Sequence, residues 1–263
     1  MLHCLRIGVK STRVVLGNIL IKAVPPIIFG LVLFSIWELL VQFGDIKPYI
    51  LPSLRAVLRT MVDPKWRWLD QMWVTAIEVL GGYVMAASIG IALGVVITWT
   101  RLAQGILPFL VIVNSLPKIA MAPLFIIWLG YGIVPNIIIA FISAFFPVVI
   151  NTATGIINID PDFVNFARAL GTPQWKIFLK IRLPNALPHI WAGLKISTSL
   201  AVIGALVGEF IAATRGLASS ILHAQASLAT HAIFAALVWI ALLGLGLYAV
   251  VCILQKVLTP WAD

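Results

Sequence analysis

The residues able to do chemistry are few and scattered. His189, His223 and His231 share no H-E-x-x-H or comparable spacing, so they read as polar or interfacial side chains rather than metal ligands. Cys4 and Cys252 stand at opposite ends of the chain, with neither a disulfide framework nor a metal-binding interval between them. Gly8-Val-Lys-Ser-Thr12 imitates the end of a phosphate-binding loop. Val9, however, stands where glycine must precede the lysine, so the backbone cradle for ATP phosphates is missing. No nucleophile, base and carboxylate fall into a catalytic pattern. Two charged residues, Lys118 and Glu209, lie inside otherwise apolar runs. A charge placed there is costly and by default functional. Both are candidates for a translocation path or gate, with a structural pair between Glu209 and Arg215 as the competing reading.

The elements that position these residues must lie in a membrane. The chain is 62% hydrophobic and only 10% charged, with a mean hydropathy of +1.08. A soluble domain carries about 25% charged residues. From Ile119 to Ile159 no side chain is charged, a stretch about twice the ~20 residues that one span needs. The net charge of +9 fits basic flanks that orient spans, and no basic motif points to nucleic acid. The first apolar run is too long for a cleaved signal peptide, and no A-x-A site follows it.

The pattern predicts an all-α polytopic protein with about six spans, near 23–43, 73–99, 105–129, 134–153, 190–212 and 232–254. Pro108, Pro117 and Pro123 interrupt the third, which is expected to be discontinuous. Arg101 marks a tight turn before it. Gly90 and Gly94 form a small-xxx-small face for close helix packing. In the segment 45–70, Ser53 can cap a short helix. That helix would show Leu54, Val57, Leu58 and Met61 on one face and Arg55 and Arg59 on the other. Trp66, Trp68 and Trp73 read as an interfacial belt. The larger share of Lys and Arg falls on the side of the N-terminus, which predicts both termini inside. Lys47, Arg55, Arg59, Lys65 and Arg67 form a smaller basic group outside.

One inner loop is built unlike the others. Asp160 can cap a helix with Pro161 at its first position and Asp162 in its first turn. That helix runs to Leu170 and stops at Gly171, suited to a left-handed cap. Thr172 can cap a second short helix, with Pro173 at its first position. Phe163, Phe166, Ala167 and Leu170 recur at helical spacing on the first helix. Apolar residues in such a loop need a partner, either the protein's own helices or a groove on another subunit.

This segment resembles the cytoplasmic coupling loop of binding-protein-dependent ABC importer permeases. That family's motif runs Glu-Ala-Ala, three residues, Gly, nine residues, Ile, one residue, Leu-Pro. Gly171, Ile181, Leu183 and Pro184 fall in register, and Ala167 matches the triplet, whereas Asn165 and Phe166 depart from it. Trp37-Glu38, Leu51-Pro-Ser53, Leu116–Leu124, Trp128-Leu-Gly130, Phe146-Pro147, Gly208-Glu-Phe210, Gly216-Leu217 and Pro260-Trp261 resemble the nitrate, sulfonate and taurine branch. Glu78 stands where that branch is expected to have arginine.

The resemblance implies a type I importer permease fold with cytoplasmic coupling helices in a bacterial inner membrane. Residues 1–22 would be a cytoplasmic segment and 23–263 one transmembrane domain, with the coupling loop at 158–184. It implies no cofactor on this chain; ATP and Mg would be bound by a separate ABC ATPase. The further partners would be a second permease copy, in a homodimer, and a periplasmic or extracellular solute-binding protein. A small anion such as a sulfonate, nitrate or related organic acid would be the solute, moved by alternating access. Asn165, Phe166, Ala167, Leu170, Gly171, Ile181, Leu183 and Pro184 would couple to the ATPase. An ion-coupled secondary transporter would have no ATPase to dock, and an intramembrane enzyme would need catalytic residues.

Overall fold

The computed structural model describes residues 24–25, 27–44, 46–99, 103–212 and 214–261. Gly8–Thr12, Cys4 and the turn at Arg101 lie outside them. The described residues form helices: α1 Ile27–Phe43, α2 Leu54–Met61, α3 Trp68–Trp99, α4 Ala103–Asn114, α5 Lys118–Leu129, α6 Ile133–Ile157, α7 Pro161–Ala169, α8 Gln174–Ile177, α9 Leu183–Ala212, α10 Leu217–Ala226 and α11 Thr230–Leu258. Four are long and apolar enough to cross a bilayer: Pro64–Trp99, Ile133–Ile157, Gln174–Ile211 and Thr230–Leu258. With α1 and the α4–α5 pair each taken as one pass, the count is the six that hydropathy gives.

The third span is broken as expected, but by one proline. Pro117 lies between α4 and α5, whereas Pro108 and Pro123 sit inside helices. Pro117 has no N–H to extend α4, and α5 starts at Lys118 with no side-chain cap.

The centre of the bundle is α6, which packs along α3 on one side and α9 on the other. Glycine makes this approach possible. A Cβ on Gly90 would sit 2.9 Å from the Val148 side chain, and one on Gly94 2.7 Å from Thr152 Cβ. Between the helices lie Val79, Tyr83, Ala86, Ala140, Ala144 and Val148, all buried. By contrast α11 leaves most of its length exposed for lipid.

Two distant stretches meet at the start of α2. The Trp37 indole donates to the Pro52 carbonyl at 3.0 Å, and the Leu54 N–H donates to Glu38 Oε2 at 3.0 Å. Ser53 caps the helix through Ala56 N–H. The face differs from the periodicity, however. Val57 and Thr60 are buried and Leu58 is exposed, because α2 lies against α11 along its 57–60 side. Trp68 is likewise no belt residue. It is buried, stacked on Trp66, and donates to Thr60 O at 2.7 Å. Trp73 is exposed as expected.

The connection between α9 and α11 is not a plain loop. Its helix α10 is sunk into the bundle, with Leu217, Ala218, Ser219, Ser220, Ile221 and Ala224 buried.

Gly94→Val should destabilise the chain by about 1–3 kcal/mol through overpacking against α6. Gly105, with nothing near its missing Cβ, should accept valine with a far smaller effect. Melting temperatures of the two variants in detergent check this.

Candidate functional site

The corner at 160–173 is built by local chemistry. Asp160 Oδ1 accepts the Asp162 N–H at 2.9 Å, and Pro161 opens α7. The helix closes through two bonds, Gly171 N–H to Arg168 O at 2.9 Å and Thr172 N–H to Ala167 O at 3.1 Å. Gly171 has φ +72°, the left-handed geometry this double closure requires. Thr172 contributes its amide here and makes no side-chain cap. Pro173 stands at the cap position, extended, and the next helix begins at Gln174.

Packing decides which side of α7 faces out. Val164 and Ala167 are buried against Ile177, with Ile159 and Ile181 beside them. Phe163, Phe166 and Leu170 are 64%, 68% and 69% exposed. The expected display face is therefore corrected at one residue: Ala167 anchors the corner and does not belong to the ridge. Val164, outside the expected 163, 166, 167 and 170 set, is buried because Ile177 packs against that side of the helix. Asn165 and Gly171 are exposed, while Ile181, Leu183 and Pro184 are half-buried.

The second helix of the corner is not a separate short helix. From Gln174 the chain runs unbroken through a wide turn at Phe178–Arg182 into α9. Pro184 explains the widening. It has no N–H, and its ring would strike the carbonyl of Lys180 in a regular helix. The Leu183 N–H reaches Phe178 O instead, a single π-type turn that keeps the rod continuous.

At the far end of the same rod sits Glu209, fully buried. Its Oε1 accepts the Thr75 hydroxyl, and its Oε2 accepts the Ala218 N–H at 2.7 Å. Thr75 Oγ1 in turn accepts the Leu217 N–H at 2.9 Å, and Gln71 Oε1 the Gly216 N–H at 2.7 Å. The first amides of α10 are thus satisfied by side chains of α3 and α9, and a carboxylate lies at the positive end of the helix. Gly216 has φ +114°, and a Cβ there would collide with the Glu209 carboxyl. Arg215 is not the partner of Glu209. Among the described residues the ion pair is Arg67 with Asp70, at 2.6 Å.

Glu78 lies one turn along α3 from Thr75 and next to Glu209. Its Oε1 accepts the Asn136 amide at 2.8 Å. Lys118 stands at the α4–α5 break, where Nζ donates to Asn114 Oδ1 at 2.6 Å and lies 4.9 Å from the centre of the Phe146 ring. Gln71, Thr75 and Asn136 escaped sequence reasoning because nothing in residue type separates them from any other span-lining polar residue.

An exposed apolar ridge on a corner fused to a spanning rod, with polar groups locked between spans, describes a polytopic membrane protein. Residues 86–263 match the family described as binding-protein-dependent transport system inner membrane component, and the chain belongs to that family of ABC transporter permeases. It is 30% identical to a formylaminopyrimidine transport permease of Halalkalibacterium halodurans, covering 91% of this chain and 96% of that one. It is 32% identical to a riboflavin transport system permease of Chloroflexus aurantiacus, covering 88% and 87%. It is 30% identical to a nitrate import permease of Leptolyngbya laminosa, covering 93% and 90%.

Glu209→Ala should strand the Ala218 N–H, leave the Thr75 hydroxyl only its 3.3 Å bond to Gln71 O, and cost about 1–3 kcal/mol. Gly216→Ala should be similarly damaging, because the methyl group and the carboxyl compete for one volume. Both outcomes can be read from thermal melts of the purified permease, with Glu209→Gln as the milder comparison.

Proposed function

We propose that this chain is the transmembrane subunit of an importer driven by a separate ATPase, which docks on α7. The observation that carries the reading is the ridge of Phe163, Phe166 and Leu170, exposed on a helix that is capped at both ends and anchored from behind by Val164 and Ala167. Large apolar groups held rigidly in a loop suit insertion into a groove of another protein. ATP and Mg would be held by that ATPase. Closure of two ATPases on a permease homodimer would move each α7, and α9 would carry the motion through the membrane to reverse the opening. An external solute-binding protein would deliver the solute. The loop 158–184 and both termini would face the cytoplasm, and the basic segment 45–70 the outside.

The proposed solute is a small anion, a sulfonate, nitrate or related organic acid. Two observations support it: a relative named for nitrate, and Lys118 at the uncapped start of a half-helix inside a span. A broken helix offers its N-terminal amides to anionic groups.

Leu170→Asp and Gly171→Val should leave insertion intact while weakening ATPase association and abolishing ATP-driven uptake. The glycine change forces a branched side chain into left-handed geometry that costs roughly 1–2 kcal/mol or more. Co-purification of the ATPase, beside uptake into vesicles, measures both effects; full association and uptake in both variants would remove α7 as the docking element. For topology, cysteines placed at Lys65 and Lys176 in a background without Cys4 and Cys252 should be labelled from outside intact cells at 65 only. Labelling at 176 alone would reverse the orientation.

A further inference from the structure

A small cleft of about 220 Å³ opens at the α7 end of the bundle, lined by Thr98, Trp99, Ile156, Gln174, Phe178 and Arg182. Thr98 and Trp99 close α3, Ile156 lies in the last turn of α6, and Gln174 opens the long rod. Three spans reach their ends around the cleft, which sets it at one boundary of the bilayer. Trp99 stands edge-on to Phe178 at 5.1 Å and is 54% exposed, as suits an aromatic residue at such a boundary.

The wall is a set of donors around one cation. Arg182 Nε is buried and meets no acceptor. Among the described residues the Arg182 guanidinium makes no ion pair and no hydrogen bond. A buried donor without an acceptor is costly, and more so on a charged group. Arg182 is also the last residue of the π-type turn, so its backbone position is set by the proline two residues on. Thr98 spends its hydroxyl proton on Val95 O at 2.8 Å. The Gln174 amide and the Trp99 indole keep their N–H groups, and no carboxylate lines the cleft.

Such a wall is complementary to an anion, and the place selects which one. The volume is below the about 300–1,000 Å³ of sites for drug-sized ligands, so it suits a small group or the head of a larger molecule. At a bilayer boundary the anionic group at hand is lipid phosphate. A guanidinium meets phosphate through two parallel N–H bonds, and basic pockets between spans take anionic headgroups.

We infer that this cleft holds the phosphate of an anionic lipid headgroup, seated on Arg182 with Gln174 and Trp99 beside it. A lipid held there ties the end of α3 to the start of the rod, next to the α7 corner. Free phosphate shares the headgroup's chemistry but lacks acyl chains to bury along the spans. The inference stands apart from the ATPase reading, since it needs only the spans.

The test is native mass spectrometry of the full-length, delipidated permease in detergent, titrated with phosphatidylglycerol, phosphatidylcholine or glycerol phosphate. Phosphatidylglycerol should bind about tenfold more tightly than phosphatidylcholine, whose ammonium meets Arg182, and far more tightly than glycerol phosphate. Arg182→Gln should weaken phosphatidylglycerol about tenfold and erase that preference. Gln174→Glu, which sets a carboxylate at the exposed rim, should weaken it similarly with the guanidinium still in place. Lys180→Gln removes the same charge from an exposed position of the same turn and should change binding less than about twofold. Melting temperatures without added lipid show that each variant is folded. Unchanged binding in Arg182→Gln, or equal losses in Arg182→Gln and Lys180→Gln, would overturn the proposal, since the lipid would then follow net charge alone. Glycerol phosphate binding as tightly as the lipid would overturn it too, by making the cleft a site for a free anion. So would loss of bound phosphatidylglycerol whenever an ATPase co-purifies, because a carboxylate of that subunit would then fill the cleft.

Discussion

The amides at the start of α10 sit where no water is available to bond them, and the arrangement of that end of the bundle follows from satisfying them. An unbonded backbone N–H in such surroundings costs several kcal/mol. Gln71 and Thr75 on α3 and Glu209 on α9 answer the N–H groups of Gly216, Leu217 and Ala218. Each bond also fixes a distance between two spans. The Glu209 carboxyl then occupies the space a side chain at residue 216 would need, which makes glycine obligatory. Because α10 cannot be seated unless α3 and α9 are already in place, its burial registers the assembly of the spans around it.

One continuous helix joins the α7 corner to the buried Glu209 network. The rod from Gln174 to Ile211 is roughly 57 Å long at 1.5 Å per residue. One end is welded to α7 through Ile177, Val164 and Ala167; the other presents Glu209. A break after the corner, as at Pro117 in the third span, would let α7 move without moving the membrane helices. The π-type turn ahead of Pro184 avoids that break, since it accommodates a proline while keeping the hydrogen-bonded rod unbroken. Close glycine-mediated contact of α3 and α9 with α6 leaves little slack for lost motion.

Ionisable groups inside the spans differ in the kind of partner each one has. Lys118 has Asn114 and the Phe146 ring, and Glu209 has a hydroxyl and an amide. Glu78 differs in bonding to another carboxyl: it meets Glu209 as well as the Asn136 amide. It also departs from the arginine expected by resemblance, so a position that would have brought a positive charge to Glu209 instead brings a second carboxyl.

Much of this protein is determined by the sequence alone. The spans, the break in the third and the capped corner at 160–171 all follow from interactions within a few residues: apolar length against bilayer thickness, a proline without its N–H, Asp160 and Gly171 acting on adjacent turns. The family resemblance could be drawn from the same corner. Tertiary structure decided the rest. Ala167 turned inward and Leu58 outward because neighbouring helices, not periodicity, choose the buried face. The α10 helix was hidden within an apparent loop, because its caps come from residues up to 145 positions away. Glu209 found Thr75 and Ala218 rather than Arg215, since in a low-dielectric interior a set of fixed dipoles can satisfy a carboxylate without a counter-ion. Pairings over such sequence distances depend on how the spans pack, and no local pattern of residue types records that.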